Sequence, residues 1–157
     1  MAESASLEDK LKTLCLKDVN CYSLAGQNYI GKIVDVYDGD TLTCGFFFNN
    51  CPIKVKVRME GYDSPEMKPL LKIENRDLHI ECAHLAKEKL KSLTNNKIIT
   101  INFNEQDKYG RQLAKLYINN ICINDIMISE GYGKPYDGGK KGIFTKENLL
   151  NIKSQKK

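Results

Sequence analysis

Residues 28–59 read NYIGKIVDVYDGDTLTCGFFFNNCPIKVKVRM, and this stretch decides the fold. Tyr29, Ile30, Ile33, Val34 and Val36 make a β-branched and aromatic run of the kind that suits a pleated, half-buried surface. Asp38-Gly39 turns the chain, with Gly39 expected to permit the tight turn, and Thr41–Cys44 followed by Phe46–Phe48 resumes it as a second strand. Asn49-Asn50 marks another turn. Beyond it Ile53, Val55 and Val57 alternate with Lys54, Lys56 and Arg58, a period of two that means one buried and one solvated face. Three meandering strands are therefore expected before residue 61.

Upstream, Leu7, Leu11, Leu14 and Cys15 fall at helical spacing behind a Ser6/Asp9 capping pattern, so a short helix is expected over residues 6–16 within an extension spanning 1–27. Downstream, residues 61–75 hold Pro65 and Pro69 without a sustained period and read as a loop. Leu78, Cys82, Leu85, Ala86, Leu90 and Leu93 then step by threes and fours, which predicts an amphipathic helix over 74–93, ended by Asn95-Asn96. A strand over 97–103, a turn over 104–108, a strand over 109–118 and a helix over 124–130 closed by Gly131 follow. The order β-β-β-α-β-β-α gives an α+β, mainly β class: a five-stranded OB-type barrel over residues 28–136, with a helix between strands 3 and 4 and short flanking helices. Residues 137–157 are expected to form a lysine-rich tail, with a short helical piece over 143–152. Removing residues 144–157 is expected to leave the core standing.

Composition narrows the class further. The 157 residues are 41% hydrophobic and 28% charged, as in a globular domain and unlike a disordered chain. No apolar run approaches the length of a membrane helix, so no membrane partner is expected. No secretory signal is visible in Met1–Asp9, so an intracellular, cytoplasmic location is expected. Six cysteines without a Cys-x-x-Cys pair, and two histidines, His79 and His84, five residues apart on one helix, do not assemble a local zinc site; free, mostly buried thiols are expected. The net charge is +4, but seven lysines face two acids between Gly133 and Lys157, which concentrates positive charge in the tail and suits a polyanion.

The residues that carry chemistry sit at turns. Asp38-Gly39-Asp40-Thr41 opens the second strand, Arg58 ends the third and runs into Asp63-Ser64-Pro65-Glu66, and Asp107-Lys108-Tyr109-Gly110-Arg111 begins a later strand. Asp40, Asp63 and a backbone carbonyl are hard oxygen donors suited to calcium or a similar ion. Arg58 and Arg111 can grip phosphate oxygens in two-pronged fashion, and Glu66 can take a proton from water. Such a set suits phosphodiester hydrolysis, with a divalent ion to polarise the phosphoryl oxygen.

Taken in order, these segments resemble the staphylococcal nuclease (thermonuclease) family over about residues 28–136. Gly61–Met67 and Glu130–Gly133 also resemble runs in thermonuclease-like proteins of large DNA viruses. The resemblance implies that Asp40 and Asp63 bind Ca2+ through their side chains and Ser64 through its main-chain carbonyl. It implies that Glu66 orients or deprotonates the attacking water, that Arg58 and Arg111 contact the scissile phosphate, and that Lys108 and Tyr109 lie beside a terminal phosphate or base. The expected activity is calcium-dependent endonucleolytic cleavage of DNA and/or RNA by a monomer. The alternative is a non-catalytic nucleic-acid or protein-binding module of the same fold. The family's base-stacking tyrosines lack a match in register, Tyr132 and Tyr136 lying nearby.

Overall fold

The computed structural model describes residues 5–15, 17 and 19–155. Strands β1 (Asn28–Val36), β2 (Thr41–Phe48) and β3 (Cys51–Met59) form the expected antiparallel meander. β1 also pairs with β5 (Ile99–Gln106), and β5 with β6 (Gln112–Ile118). Val57–Met59 of β3 then lies parallel to Gln112–Ala114 of β6, which closes the five strands into a barrel. The inward positions Leu42, Cys44, Phe46, Val57, Ile99, Ile101, Ala114 and Leu116 fill it. Asn49 and Asn50 adopt φ of 47° and 63°, and Asn119 and Asn120 adopt 49° and 64°. Asparagine tolerates this left-handed backbone, so each pair makes the two-residue hairpin turn whose twist matches its strands. Helix α2 (Arg76–Thr94) follows β3 in the chain and packs Cys82, Ala83, Ala86 and Leu90 into the core.

Several boundaries differ from expectation. Helix α1 (Leu7–Lys12) is capped by Ser6 as expected but stops short of residue 16, and Leu7, Leu11 and Leu14 are exposed. An isolated helix of this length lacks the tertiary contact that would extend it. The segment 61–75 is not loop throughout: Tyr62–Asp63 (β4) pairs with Lys134–Pro135 (β8), because the fully buried Tyr62 anchors it against the barrel end. β5 continues to Gln106 and β6 begins at Gln112, because Gln106 pairs with Gln112 beyond a bulge. β7 (Ile121–Cys122) adds a short hairpin arm before α3 (Ile123–Ser129).

The largest correction concerns the C-terminus. Helix α4 (Lys146–Ser154) starts at a reciprocal cap between Thr145 and Asn148, and buries Leu149 and Ile152 completely, with Phe144 beside them in the core cluster. The Cys82 thiol donates to the Leu149 carbonyl at 3.1 Å, and Lys153 pairs with Glu81 at 2.9 Å. The helical piece expected over 143–152 is thus present as α4, but the segment expected as a lysine-rich tail completes the core, because its lysines masked the buried Leu149/Ile152 pair. Residues 1–4, 16 and 18 of the expected extension, including the end of the helix expected over 6–16, and the tail charges Lys156 and Lys157 lie outside the described residues. All six cysteines are free as expected, but only Cys44 and Cys82 are buried, with Cys15, Cys21 and Cys51 exposed. Among the described residues no helix is long and apolar enough to cross a membrane.

Candidate active site

The β1–β2 turn is held by its own side chain: Asp38 Oδ1 accepts from the amides of Asp40 at 3.1 Å and Thr41 at 2.8 Å. Gly39 has an ordinary backbone and is required for a different reason from the one expected. A Cβ there would sit 2.6 Å from that of Ala86 and 2.8 Å from the Ser64 side chain, so only glycine lets the turn press against α2 and the β4 segment. The Tyr62 hydroxyl donates to the Gly39 carbonyl at 2.7 Å and locks the two segments together.

That contact sets up a buried charge network. Asp40 Oδ2 accepts from the Ser64 amide at 2.8 Å and hydroxyl at 3.1 Å, while its Oδ1 accepts from the Thr41 hydroxyl at 2.9 Å. Arg58, carried on the end of β3, places Nη1 2.5 Å from Asp40 Oδ1 and Nη2 2.8 Å from Asp63 Oδ1. Asp40, Arg58, Asp63 and Ser64 are all buried, none more than 6% exposed. Both terminal nitrogens of the Arg58 guanidinium are thus engaged by carboxylates, Nη1 by Asp40 and Nη2 by Asp63. Lys141 reaches in from the segment after β8 and places Nζ 3.1 Å from both Asp63 Oδ1 and Glu66 Oε1.

Burial alone would push Asp40 up, but the Arg58 charge and the Ser64 and Thr41 hydrogen bonds hold it below the usual carboxylate range. Asp63 goes the other way: burial and the neighbouring Asp40 charge raise it, against the pull of Lys141 and Arg58. Asp38 is pushed up to about 6 by burial and by Asp40. Opposed to its own burial, Arg58 is held charged by Asp40 and Asp63. Asp38, Asp40, Asp63 and Glu66 thus stand against Arg58 and Lys141, with Lys68 and Arg111 on the lining of the same pocket.

A second arginine borders the same space. Asp107 accepts from the amides of Tyr109 and Arg111, each at 2.9 Å, and fixes Arg111 Nε at 2.7 Å. Arg111 Nη1 meets the Thr41 hydroxyl at 3.3 Å, one bond away from Asp40. Asp38, Asp40, Arg58, Ser64, Glu66, Arg111 and Lys141 line one small polar pocket of about 180 Å³. Asp63 sits behind it, bonded to Arg58 and Lys141. Tyr109 is exposed on an adjoining cavity with Arg111 5.5 Å and Lys108 Nζ 5.1 Å from its ring centroid, and Lys108 is not on that cavity's lining.

Thr41 and Tyr62 lay inside the quoted motifs without a role assigned to them, and Lys141 lay outside every motif. Lys141 was one of several lysines; only the β4–β8 pairing brings it to Glu66, 75 residues away. Tyr136, out of register by sequence, lies over the Arg58 guanidinium at 5.8 Å, whereas Tyr132 is buried.

Residues 56–156 match the family model described as staphylococcal nuclease homologue, which is more than half of the chain. The chain belongs to the staphylococcal nuclease family. The match begins after Asp38–Thr41, which the barrel nonetheless carries to Arg58 and Ser64. An uncharacterised protein of Methanocaldococcus jannaschii is 29% identical over 83% of this chain and 69% of its own length. An uncharacterised endonuclease of Escherichia coli O157:H7 is 26% identical over 68% of this chain and 61% of its own. A probable staphylococcal-like nuclease of rice, Oryza sativa subsp. japonica, is 30% identical over 54% of this chain and 20% of its own. This staphylococcal nuclease homologue thus spans from a fifth to about two thirds of the length of these relatives. Its family points to nuclease activity, a hydrolase reaction on nucleic acid.

Proposed function

We propose that this chain is a calcium-dependent endonuclease that hydrolyses phosphodiester bonds in DNA and/or RNA at the Asp40–Arg58–Glu66–Arg111 pocket. The observation that carries the reading is the convergence of three separate turns on that pocket, whose lining includes two arginines and the exposed carboxylate of Glu66. Among the described residues no group of three or more acidic, histidine or cysteine side chains forms a ready-made chelate. A sparse set of Asp40, Asp63 and the Ser64 carbonyl would hold a hard cation, since all three are oxygen donors of the kind calcium takes. Bound there, the ion supplies the charge that polarises a phosphoryl oxygen.

The chain's own groups do the rest. Asp40 and Asp63 hold the Arg58 fork in place on the pocket's lining, so that its charge is presented to a phosphate without reorganisation, and Arg111, fixed by Asp107, meets a phosphate oxygen. Both charges oppose the negative charge that grows on the phosphorane oxygens. Glu66, with a side chain 57% exposed, has access to solvent and takes the proton of the attacking water. Tyr109 and Lys108 flank the approach, where they would meet a base and a flanking phosphate.

The second reading, a binding module of the same fold, draws support from Lys141, whose ammonium occupies Glu66 and Asp63 at once. Incubation of supercoiled plasmid and of a labelled single strand with calcium or with chelator separates the two. Cleavage in calcium that stops in chelator supports the nuclease; retention of the strand without cleavage under either condition overturns it in favour of the module.

A further inference from the structure

The outer face of the β1–β2–β3 meander carries a trough of about 1220 Å³. The strand register explains its shape. Lys32 of β1 and Lys54 of β3 flank Gly45 of β2 in one cross-strand row, so the residue between the two lysines has no side chain and the centre lies open. In the next row Asp35 and Lys56 flank Thr43. At the other end Ile30, Phe47 and Ile98 stand 72%, 68% and 69% exposed, an apolar floor that no element among the described residues covers. The trough does not stand alone. Asp35, Thr43 and Lys56 also line the cavity beside it, and that cavity shares Glu66, Arg111 and Lys141 with the catalytic pocket.

We propose that this trough binds the stretch of a single-stranded polynucleotide that flanks the bond to be cut. The inference rests on the nuclease reading for the position of that bond. Lys32, Lys54 and Lys56 take its phosphates, and Phe47 with Ile30 and Ile98 takes the faces of its unstacked bases. Two features favour this occupant over a protein: the lysines outnumber the single acid Asp35 on the walls, and the trough shares lining with a cavity that in turn shares Glu66, Arg111 and Lys141 with the candidate pocket. Bases offer flat apolar faces only when unpaired, and an aromatic side chain between lysines is how proteins hold such strands irrespective of sequence. A duplex presents its phosphates to the lysines but leaves the apolar floor unfilled.

The test uses the full chain with Glu66→Gln to keep strands intact, and fluorescence anisotropy with oligothymidylates of about 4 and about 16 nucleotides, which bracket the sites of single OB folds. The longer strand is expected to bind about tenfold or more tightly than the shorter, the worth of one stacked base and two phosphate contacts. Lys32→Gln/Lys54→Gln/Phe47→Ala, three exposed positions away from the pocket, is expected to abolish that gain, leave the short strand's affinity unchanged, and lower the salt slope by about 1.4. No gain with length in the parent, a gain that survives the triple substitution, or equal affinity for a duplex of the same length would overturn the proposal. Light scattering that finds a dimer lost on triple substitution, with no gain from strand length, would assign the face to a second copy and overturn it likewise. If the parent carrying Glu66 cuts nothing while the length gain persists, the trough stands and the nuclease reading falls.

Discussion

Arg58→Lys separates charge from geometry at the centre of the network. The guanidinium spans two buried carboxylates, with Nη1 at Asp40 and Nη2 at Asp63. An ammonium on a flexible stem has no second prong at that spacing, so one carboxylate is left buried without its cation. Leaving a buried polar group unsatisfied costs about 1–3 kcal/mol, more for a charge, against about 3–5 kcal/mol when one partner of a buried pair is removed altogether. For a chain of this length the lysine variant should therefore melt about 2–12 °C below the parent near neutral pH, and Arg58→Leu lower still. The pH dependence carries the sign. Asp40 is held below its ordinary value of 3.8, so its pairing stabilises the protein above that value and is lost as pH falls through the lowered one. The deficit of the variant should thus be largest near neutrality and shrink as the carboxylates protonate below about pH 4. Circular-dichroism melts across that range, paired with strand-cleavage rates, measure both consequences. A variant that melts within about a degree of the parent near neutrality, or a deficit that does not shrink on acidification, would refute the bridge as described.

Three further outcomes follow from the same geometry. Deleting residues 144–157 strips Phe144, Leu149 and Ile152 from the core, and at about 1.5–3 kcal/mol for each buried side chain the loss rivals the whole stability of a domain; the truncated chain should be unfolded by circular dichroism, and a cooperative melt near that of the parent would contradict it. Lys141→Met frees Asp63 and Glu66 from the ammonium that bridges them, so the rise in melting temperature on adding calcium should grow; an unchanged rise would show that lysine and ion do not compete. Asp38, raised to about 6, favours the folded state at low pH and loses that contribution as pH rises through about 6. After allowance for its partial exposure Asp38→Asn should stabilise by about 1–2 kcal/mol at alkaline pH and not at all below about pH 4, and equal effects at both would be a failure.

The barrel was legible because its strands alternate cleanly and its turns are chemically marked: Ile53–Arg58 shows its period without help, and paired asparagines announce the left-handed hairpin turns. Asp40, Arg58, Ser64, Glu66 and Arg111 were legible as residue types at turn positions, and the structure brings them to one pocket. What escaped is long-range. The β4–β8 ladder has two residues on each side, too short for any periodicity, yet it delivers Lys141 to the carboxylates. Leu149 and Ile152 are spaced as a helix face, but the lysines around them gave the segment a solvated composition. Gly39 looked like a turn residue because Asp-Gly is a turn dipeptide; its need for closeness to Ala86 and Ser64 exists only once α2 and β4 are packed.

The most direct test is single-turnover cleavage of a labelled strand by the parent and by Glu66→Gln over a calcium titration, with melting temperature followed in parallel. Loss of a positioned proton acceptor costs about 10²–10⁴-fold in rate. Since Glu66 is proposed as the base and not as a ligand, the account predicts a rate loss of that size at saturating calcium with the calcium-dependent rise in melting temperature preserved, and no cleavage by either protein in chelator. Full cleavage in chelator, or a Glu66→Gln rate equal to that of the parent, would contradict it.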